Sequence, residues 1–152
     1  MEDLSLHILD VAENSIAASA TRIEIKIDED RAKDLLSIEI RDNGKGMDEE
    51  TARRATDPFF TTRTTRRVGL GLSLLAQAAE ASGGRMELES SPSAGTVVRA
   101  CFRLSHPDCK PLGDMEQTIM TLVASHPEID IVYEHSKDDS TYCFDTRETG
   151  RK

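Results

Sequence analysis

Asp42-Asn43-Gly44-Lys45-Gly46-Met47 is the stretch of this chain best suited to chemistry. A carboxylate is followed by two glycines one residue apart. Asp42 can accept a hydrogen bond from a donor such as an exocyclic amine. Gly44 and Gly46 can take positive φ and let a flat ligand approach the backbone. On these residues alone an ordinary loop stays open, because Asp-Asn-Gly is also common turn chemistry. A calcium loop does not fit, since its third and fifth positions would be Gly44 and Gly46, which carry no side-chain oxygen. A second set lies earlier: Asp3, His7, Asp10 and Asn14 step by four, three and four residues. That spacing puts them on one stripe of a helix. Asn14 offers a neutral amide oxygen, a hard donor that suits Mg²⁺ held by substrate phosphates and water. Asp10, one turn earlier, could orient or deprotonate a water. A solvated helix face would show the same spacing.

The elements that must position these groups are legible around them. Residues 3–19 read as a helix with Leu4, Ile8, Val11, Ser15 and Ile16 on the other side. The run Ala17-Ala18-Ser19-Ala20 leaves a ligand room. Thr21 to Ile27 alternates strictly and predicts a half-buried strand. Asp28 to Asp34 is charged and polar, the expected turn into a second alternating run, Leu36 to Arg41, with Asp42 at its end. The two strands are expected to pair antiparallel. The apolar run Leu70 to Ala81 predicts a second long helix closed by Gly83-Gly84. Its first N–H groups and its dipole would favour an anion near Gly69, Leu70 and Gly71. Met86 to Ser90 and Val97 to Leu104 predict a hairpin joined through Ser91 to Gly95.

With 152 residues, 38% hydrophobic and 31% charged, the chain can build a packed core. Only 4% is aromatic and Trp is absent, so that core must be mainly aliphatic. A net charge of −9 argues against a general nucleic-acid binder. No apolar stretch is long enough to span a membrane and no signal pattern opens the chain, so it reads as cytoplasmic and not membrane-bound. Cys101, Cys109 and Cys143 form no CxxC pair and read as free thiols. Joined with His106 they match no zinc spacing.

Taken together, the motifs resemble the GHKL ATP-binding fold shared by gyrase, the heat-shock chaperone of that group, histidine kinases and the MutL mismatch-repair ATPases. Glu13-Asn14-Ser15-Ile16 with Ala20 to Ile25 looks like the MutL version of the N box. Asp42 to Met47 looks like the G1 box. Asp57-Pro58-Phe59-Phe60-Thr61-Thr62-Arg63 looks like the F box of histidine kinases, and Val68-Gly69-Leu70-Gly71-Leu72-Ser73-Leu74 is similar to their G2 box. Gly95-Thr96 falls where the last glycine box would. The resemblance covers residues 3–104 and implies an α+β two-layer sandwich, several helices on one face of a mixed, mostly antiparallel sheet.

The resemblance also implies ATP and Mg²⁺ as cofactors. Asp42 would bind the adenine amino group, and Asn14 would hold the metal against the phosphates. Gly44, Gly46 and Met47 would line the base pocket together with Thr96. Gly69, Leu70, Gly71 and Leu72 would lie along the phosphates. Thr61 to Arg67 would be a lid in which Arg63, Arg66 or Arg67 meets the γ-phosphate, with Pro58-Phe59-Phe60 anchoring its hinge. Two positions depart from the family. Four residues before Asn14 the family carries a glutamate base or an asparagine; here it is Asp10, one methylene shorter than glutamate. Three residues after Asn14 stands Ala17, where the kinases often have lysine and MutL aspartate.

Residues 1–104 are therefore expected to form the ATP-binding domain and 105–113 a linker. Asp114 to Ser125 predicts a helix, and 129–135 with 141–145 predict strands around a turn from Ser136 to Ser140. This appendage, residues 114–146 before a tail at 147–152, is too small to hold a large core alone and is expected to pack on the preceding domain or on a partner. The sequence opens almost at the N box, without a preceding phosphoacceptor helix. His7, His106, His126 and His135 read as ordinary residues, with His7 near the phosphate region. The leading expectation is a stand-alone ATP-binding protein that phosphorylates a separate protein. The alternatives are an ATP-gated interaction module and a slow ATPase with Asp10 as base. An oligomer is left open.

Overall fold

The computed structural model describes residues 4–46, 70–91, 93, 95–109, 111–138 and 140–146, with Leu70, Gly71 and Ser73 in backbone only. The first helix, α1, spans Leu4–Ala17. Its N-terminal N–H groups, which no helix can satisfy internally, donate to the chain far downstream: Leu4 to the Pro111 carbonyl at 3.0 Å and Ser5 to the Leu112 carbonyl at 2.8 Å. It ends where Ser19 takes φ 72° and the Ala20 N–H returns to the Ser15 carbonyl, a left-handed stop that frees the chain to enter a strand.

That strand is β1, Arg22–Asp30, and it turns into β2, Leu35–Asp42. They pair antiparallel from Ile23 with Asp42 to Asp30 with Leu35. The polar run Asp28 to Asp30 therefore belongs to the strand and not to the turn, because each of these residues finds a ladder partner in β2. The second long helix, α2, covers Leu70–Ala81. It ends at Gly83, φ +85°, with the Gly84 N–H on the Ala79 carbonyl. Strands β3, Arg85–Ser91, and β4, Gly95–Arg103, form the expected hairpin.

A third helix, α3, runs Met115–Ser125, with Asp114 capping the Gln117 N–H. Strands β5, Asp130–Lys137, and β6, Ser140–Asp145, follow. Their turn is tighter than the sequence suggests, since Lys137 already pairs with Ser140.

All six strands lie in one sheet, in the order β3-β4-β2-β1-β5-β6. Only β1 and β5 run parallel; every other neighbouring pair is antiparallel. The helix and hairpin that follow residue 113 thus extend the sheet through β5, which lies against β1. Inward residues from β1, β2, β4 and β5 (Ile23, Ile25, Ile27, Leu36, Ile38, Ile40, Val98, Phe102, Ile131) meet Leu4, Ile8 and Val11 of α1, Leu75 of α2 and Leu122 of α3 in one mainly aliphatic core, with Met86 and Leu88 of β3 and Phe144 of β6 partly buried against it. The opposite face is polar and laced with cross-strand ion pairs such as Arg99 with Glu39 and Glu89. The expected α+β sandwich with a mostly antiparallel sheet is therefore observed.

Candidate functional site

One end of the sheet gathers the C-terminus of β2, the start of β4 and the start of β1. Asp42 sits there, opposite Ile23 on one side and Thr96 on the other. Its carboxylate is held by two donors. The Ser15 hydroxyl of α1 donates to Oδ2 at 2.6 Å, and the Gly44 N–H donates to Oδ1 at 2.8 Å. Each carboxylate oxygen keeps a second lone-pair direction for another donor. The group is thus fixed and only partly buried, the condition for recognising a ligand amine.

The loop after Asp42 is pinned to both sides of the site. The Lys45 N–H donates to the Ala18 carbonyl at 2.8 Å, and the Ser93 N–H donates to the Lys45 carbonyl. Asn43 accepts at Oδ1 from the Thr21 and Arg22 N–H groups and donates to the Thr21 hydroxyl at 2.9 Å. Gly44 is buried, and a Cβ on it would stand 2.8 Å from the Ala18 carbonyl oxygen. At Gly46, φ +76°, a Cβ would fall 1.9 Å from the Ser91 carbonyl oxygen. Glycine is required at both positions by close backbone approach. Thr96 meets Ser90 hydroxyl to hydroxyl at 2.8 Å.

Among the described residues the polar stripe of α1 is only partly solvated. His7 is 1% exposed, Asn14 is half-buried and Asp10 is exposed. The Asn14 amide nitrogen is buried with no hydrogen-bond partner among the described residues. Such an orphan costs roughly 1–3 kcal/mol, and an anionic oxygen is a partner of the right sign. Among the described residues, no group of three or more His, Cys, Asp and Glu could hold a metal. A cation held by the Asn14 amide oxygen would suit phosphate and water as further ligands, as Mg²⁺ commonly does. The donor set fits that ion and offers no thiolate or imidazole cage. The three cysteines are free.

Helix α2 packs against α1 and begins at Leu70, so its first N–H groups, including those of Leu70, Gly71 and Leu72, have no intrahelical partner. The Leu72 side chain itself is buried in the core, leaving only its backbone for a ligand. Met47, Arg63, Arg66, Arg67 and Gly69, with the hinge Pro58-Phe59-Phe60, lie outside the described residues.

Of the groups singled out from sequence, Asp42, Gly44, Gly46 and Thr96 share one loop and sheet end. Asn14 joins them through its neighbour, Ser15. In the sequence Ser15 reads as part of the apolar side of α1 and of the N-box stretch, with no role of its own. The signal was available: it is a hydroxyl on an aliphatic stripe, next to Asn14. Asn43 and Gly95 were also missed as supports. At Gly95, φ +82°, a Cβ would stand 2.2 Å from the Asp42 carbonyl oxygen.

A family model described as the histidine kinase-, DNA gyrase B- and HSP90-like ATPase matches residues 2–106. The chain is similar to a putative sensor protein of Shewanella frigidimarina, 36% identical over 103 residues, which cover 66% of this chain and 16% of that protein. It is similar to the sensor protein kinase FleS of Pseudomonas aeruginosa, 39% identical over 91 residues, 60% of this chain and 22% of the relative. The C4-dicarboxylate transport sensor protein DctB of the same species is 42% identical over 65 residues, 42% of this chain and 11% of its own length. The chain thus spans less than a quarter of the length of these relatives.

Proposed function

We propose that this chain, which belongs to the family of histidine kinase-, DNA gyrase B- and HSP90-like ATPases, binds Mg·ATP at the Asp42 end of its sheet and passes the γ-phosphate to a separate protein. ATP binding is implied by the family. The observation that carries the assignment of the pocket is the fixed Asp42 carboxylate, held by Ser15 and Gly44 with a lone pair free on each oxygen. In this reading Asp42 accepts from the adenine amine, and Gly44, Gly46, Met47 and Thr96 surround the base. Asn14 would hold Mg²⁺ against the phosphates, where the ion would supply neutralisation of their charge. The backbone of Gly69, Leu70, Gly71 and Leu72 faces the phosphates, and Arg63, Arg66 and Arg67 supply the lid cations.

A separate acceptor is favoured by the state of this chain's own histidines. His7 is buried. His126 and His135 are held by Glu13 and Glu29, and His106 accepts the Asp108 N–H. The relatives include a protein whose name records a sensor protein kinase, which supports signal transduction as the role of such transfer. Among the described residues no helix is long and apolar enough to cross a membrane. A cytoplasmic site of action agrees with the free thiols.

A second reading, slow hydrolysis, rests on exposed Asp10 one helical turn before Asn14. The deciding experiment is calorimetric titration with Mg·ATP of the natural chain beside Asp42→Ala and Asp10→Asn, followed by incubation with γ-labelled ATP and partner proteins. Binding lost in Asp42→Ala and label transferred by both the natural chain and Asp10→Asn is the expected result. Unchanged affinity in Asp42→Ala would overturn the pocket. Release of free phosphate that disappears in Asp10→Asn would replace transfer by hydrolysis.

A further inference from the structure

We propose that the groove between α3 and the β5–β6 hairpin, together with the outer edge of β6, receives an extended basic and apolar segment of a partner protein. The segment pairs with β6 as a further strand and seats an apolar side chain in the groove. The inference rests on the reading that this chain works on a separate protein, and it names the surface that would hold that protein.

Among the described residues the exposed large hydrophobics are Leu6, Met120 and Tyr142. Met120, 57% exposed, and Tyr142, 52% exposed, line the same groove of about 320 Å³, whose floor is Tyr133 and Ile119. Paired exposed apolar side chains over a concave floor are the usual mark of a contact surface. The strand beside them points the same way. β6 is last in the sheet order, and Ser140 to Phe144 carries no charge. At the other edge, β3 presents exposed Arg85, Glu87 and Glu89, the charged side chains that discourage another chain from pairing. Among the described residues the β6 edge lacks that protection, so its ladder groups suit strand addition.

Charge selects the occupant. The charged side chains that line the groove are Asp114 and Glu116, and Asp145 ends β6. Lys137 lies at the hairpin turn, outside the lining. A segment alternating Lys or Arg with apolar residues matches acids at the rim and aromatic surface below. A second copy of this chain, at −9, would bring acid to acid. The helix that walls the groove also touches α1 close to the proposed nucleotide site. The His126 ring at the end of α3 bonds Glu13 at 3.0 Å, one residue from Asn14.

The test uses the full chain and a labelled short peptide alternating Lys or Arg with Val or Phe. An acidic counterpart and a version N-methylated on alternate amides serve as controls. The basic peptide is expected to bind. It should weaken roughly tenfold in Met120→Ser combined with Tyr142→Ser and also in Glu116→Lys, while slowing amide exchange in 140–145 and not in 85–91. These positions are exposed, so the variants keep the fold, which thermal melting verifies. Equal binding of the acidic or N-methylated peptide, or indifference to the variants, would overturn the proposal. So would a concentration-dependent dimer abolished by Met120→Asp, which would make a second copy the occupant. Mg·ATP titration of the same samples separates the two readings. Peptide binding without ATP binding removes the nucleotide assignment alone, and ATP binding without peptide binding removes the docking surface alone.

Discussion

The Ser15 hydroxyl donates to the Asp42 carboxylate at 2.6 Å, joining the first helix to the end of the second strand across the floor of the site. A hydrogen bond to a charged group contributes about 1.5–3 kcal/mol. Ser15→Ala should therefore weaken Mg·ATP binding by about tenfold or more through a loosened Asp42. Thermal stability should fall with it, because Ser15 is 5% exposed. Calorimetric titration and melting of the same variant check both effects. Ser15→Thr, which keeps a hydroxyl, should retain most of the affinity.

Asn43 holds the loop after Asp42 to the start of β1 through three hydrogen bonds. Asn43→Ala removes all of them and should cost roughly 1–3 kcal/mol in a urea titration. Asn43→Asp keeps an acceptor for the Thr21 and Arg22 N–H groups and should cost less. Equal loss in the two variants would mean that the acceptor oxygen is not the anchoring atom.

Gly95 has no room for a side chain: a Cβ would stand 2.2 Å from the Asp42 carbonyl oxygen, and φ is +82°. Gly95→Ala should lower stability by at least about 1–3 kcal/mol, from strain in a left-handed position, and should also displace Asp42. A melting temperature equal to that of the natural chain would contradict the register of β2 on β4.

Tyr133 lies under α3, and its phenol shares a hydrogen bond with His135 Nδ1 at 2.9 Å while the other ring nitrogen meets Glu29 at 2.6 Å. Burial, followed by the nearby Glu29 carboxylate, pushes its pKa up to about 12. The unfolded chain releases this proton near pH 10, whereas the folded chain keeps it. Stability should thus be unaffected by this group below about pH 10 and fall as pH rises toward about 12, by at most roughly 2–3 kcal/mol. Urea midpoints at about pH 9 and about pH 11 measure the loss, which Tyr133→Phe should abolish.

Much of this was legible in the sequence because period and punctuation agreed. The isoleucines of β1 alternate, α1 and α2 have aliphatic stripes, and Gly83-Gly84 marks a helix end. Asp42 and its glycines announced unusual backbone geometry, but the groups that approach Gly44 and Gly46 are the chain's own Ala18 and Ser91 carbonyls, and of the two only Gly46 takes positive φ. What periodicity could not supply was pairing between distant segments. Nothing local to Ile129–Tyr133 says that this strand lies parallel to β1, since the pairing depends on which edge of the sheet is open. Nor does α1 reveal that Pro111 and Leu112 cap its start. His7 was misjudged as part of a polar stripe because spacing assigns a face to a helix without saying what packs against it. Here α2 packs against α1 and His7 is buried.

The place of β5 beside β1 sets an order in time. β1 gains β2 as soon as a short turn has been made. Its other edge waits for Ile23 to meet Ile131, about a hundred residues later. During synthesis on the ribosome, an isoleucine-rich strand thus emerges with one side open until β5 arrives. Closing so long a loop is slow, and a half-covered sheet invites the wrong neighbour. The nascent chain passes through its most exposed stage after the candidate-site residues have been made and before β5 has docked.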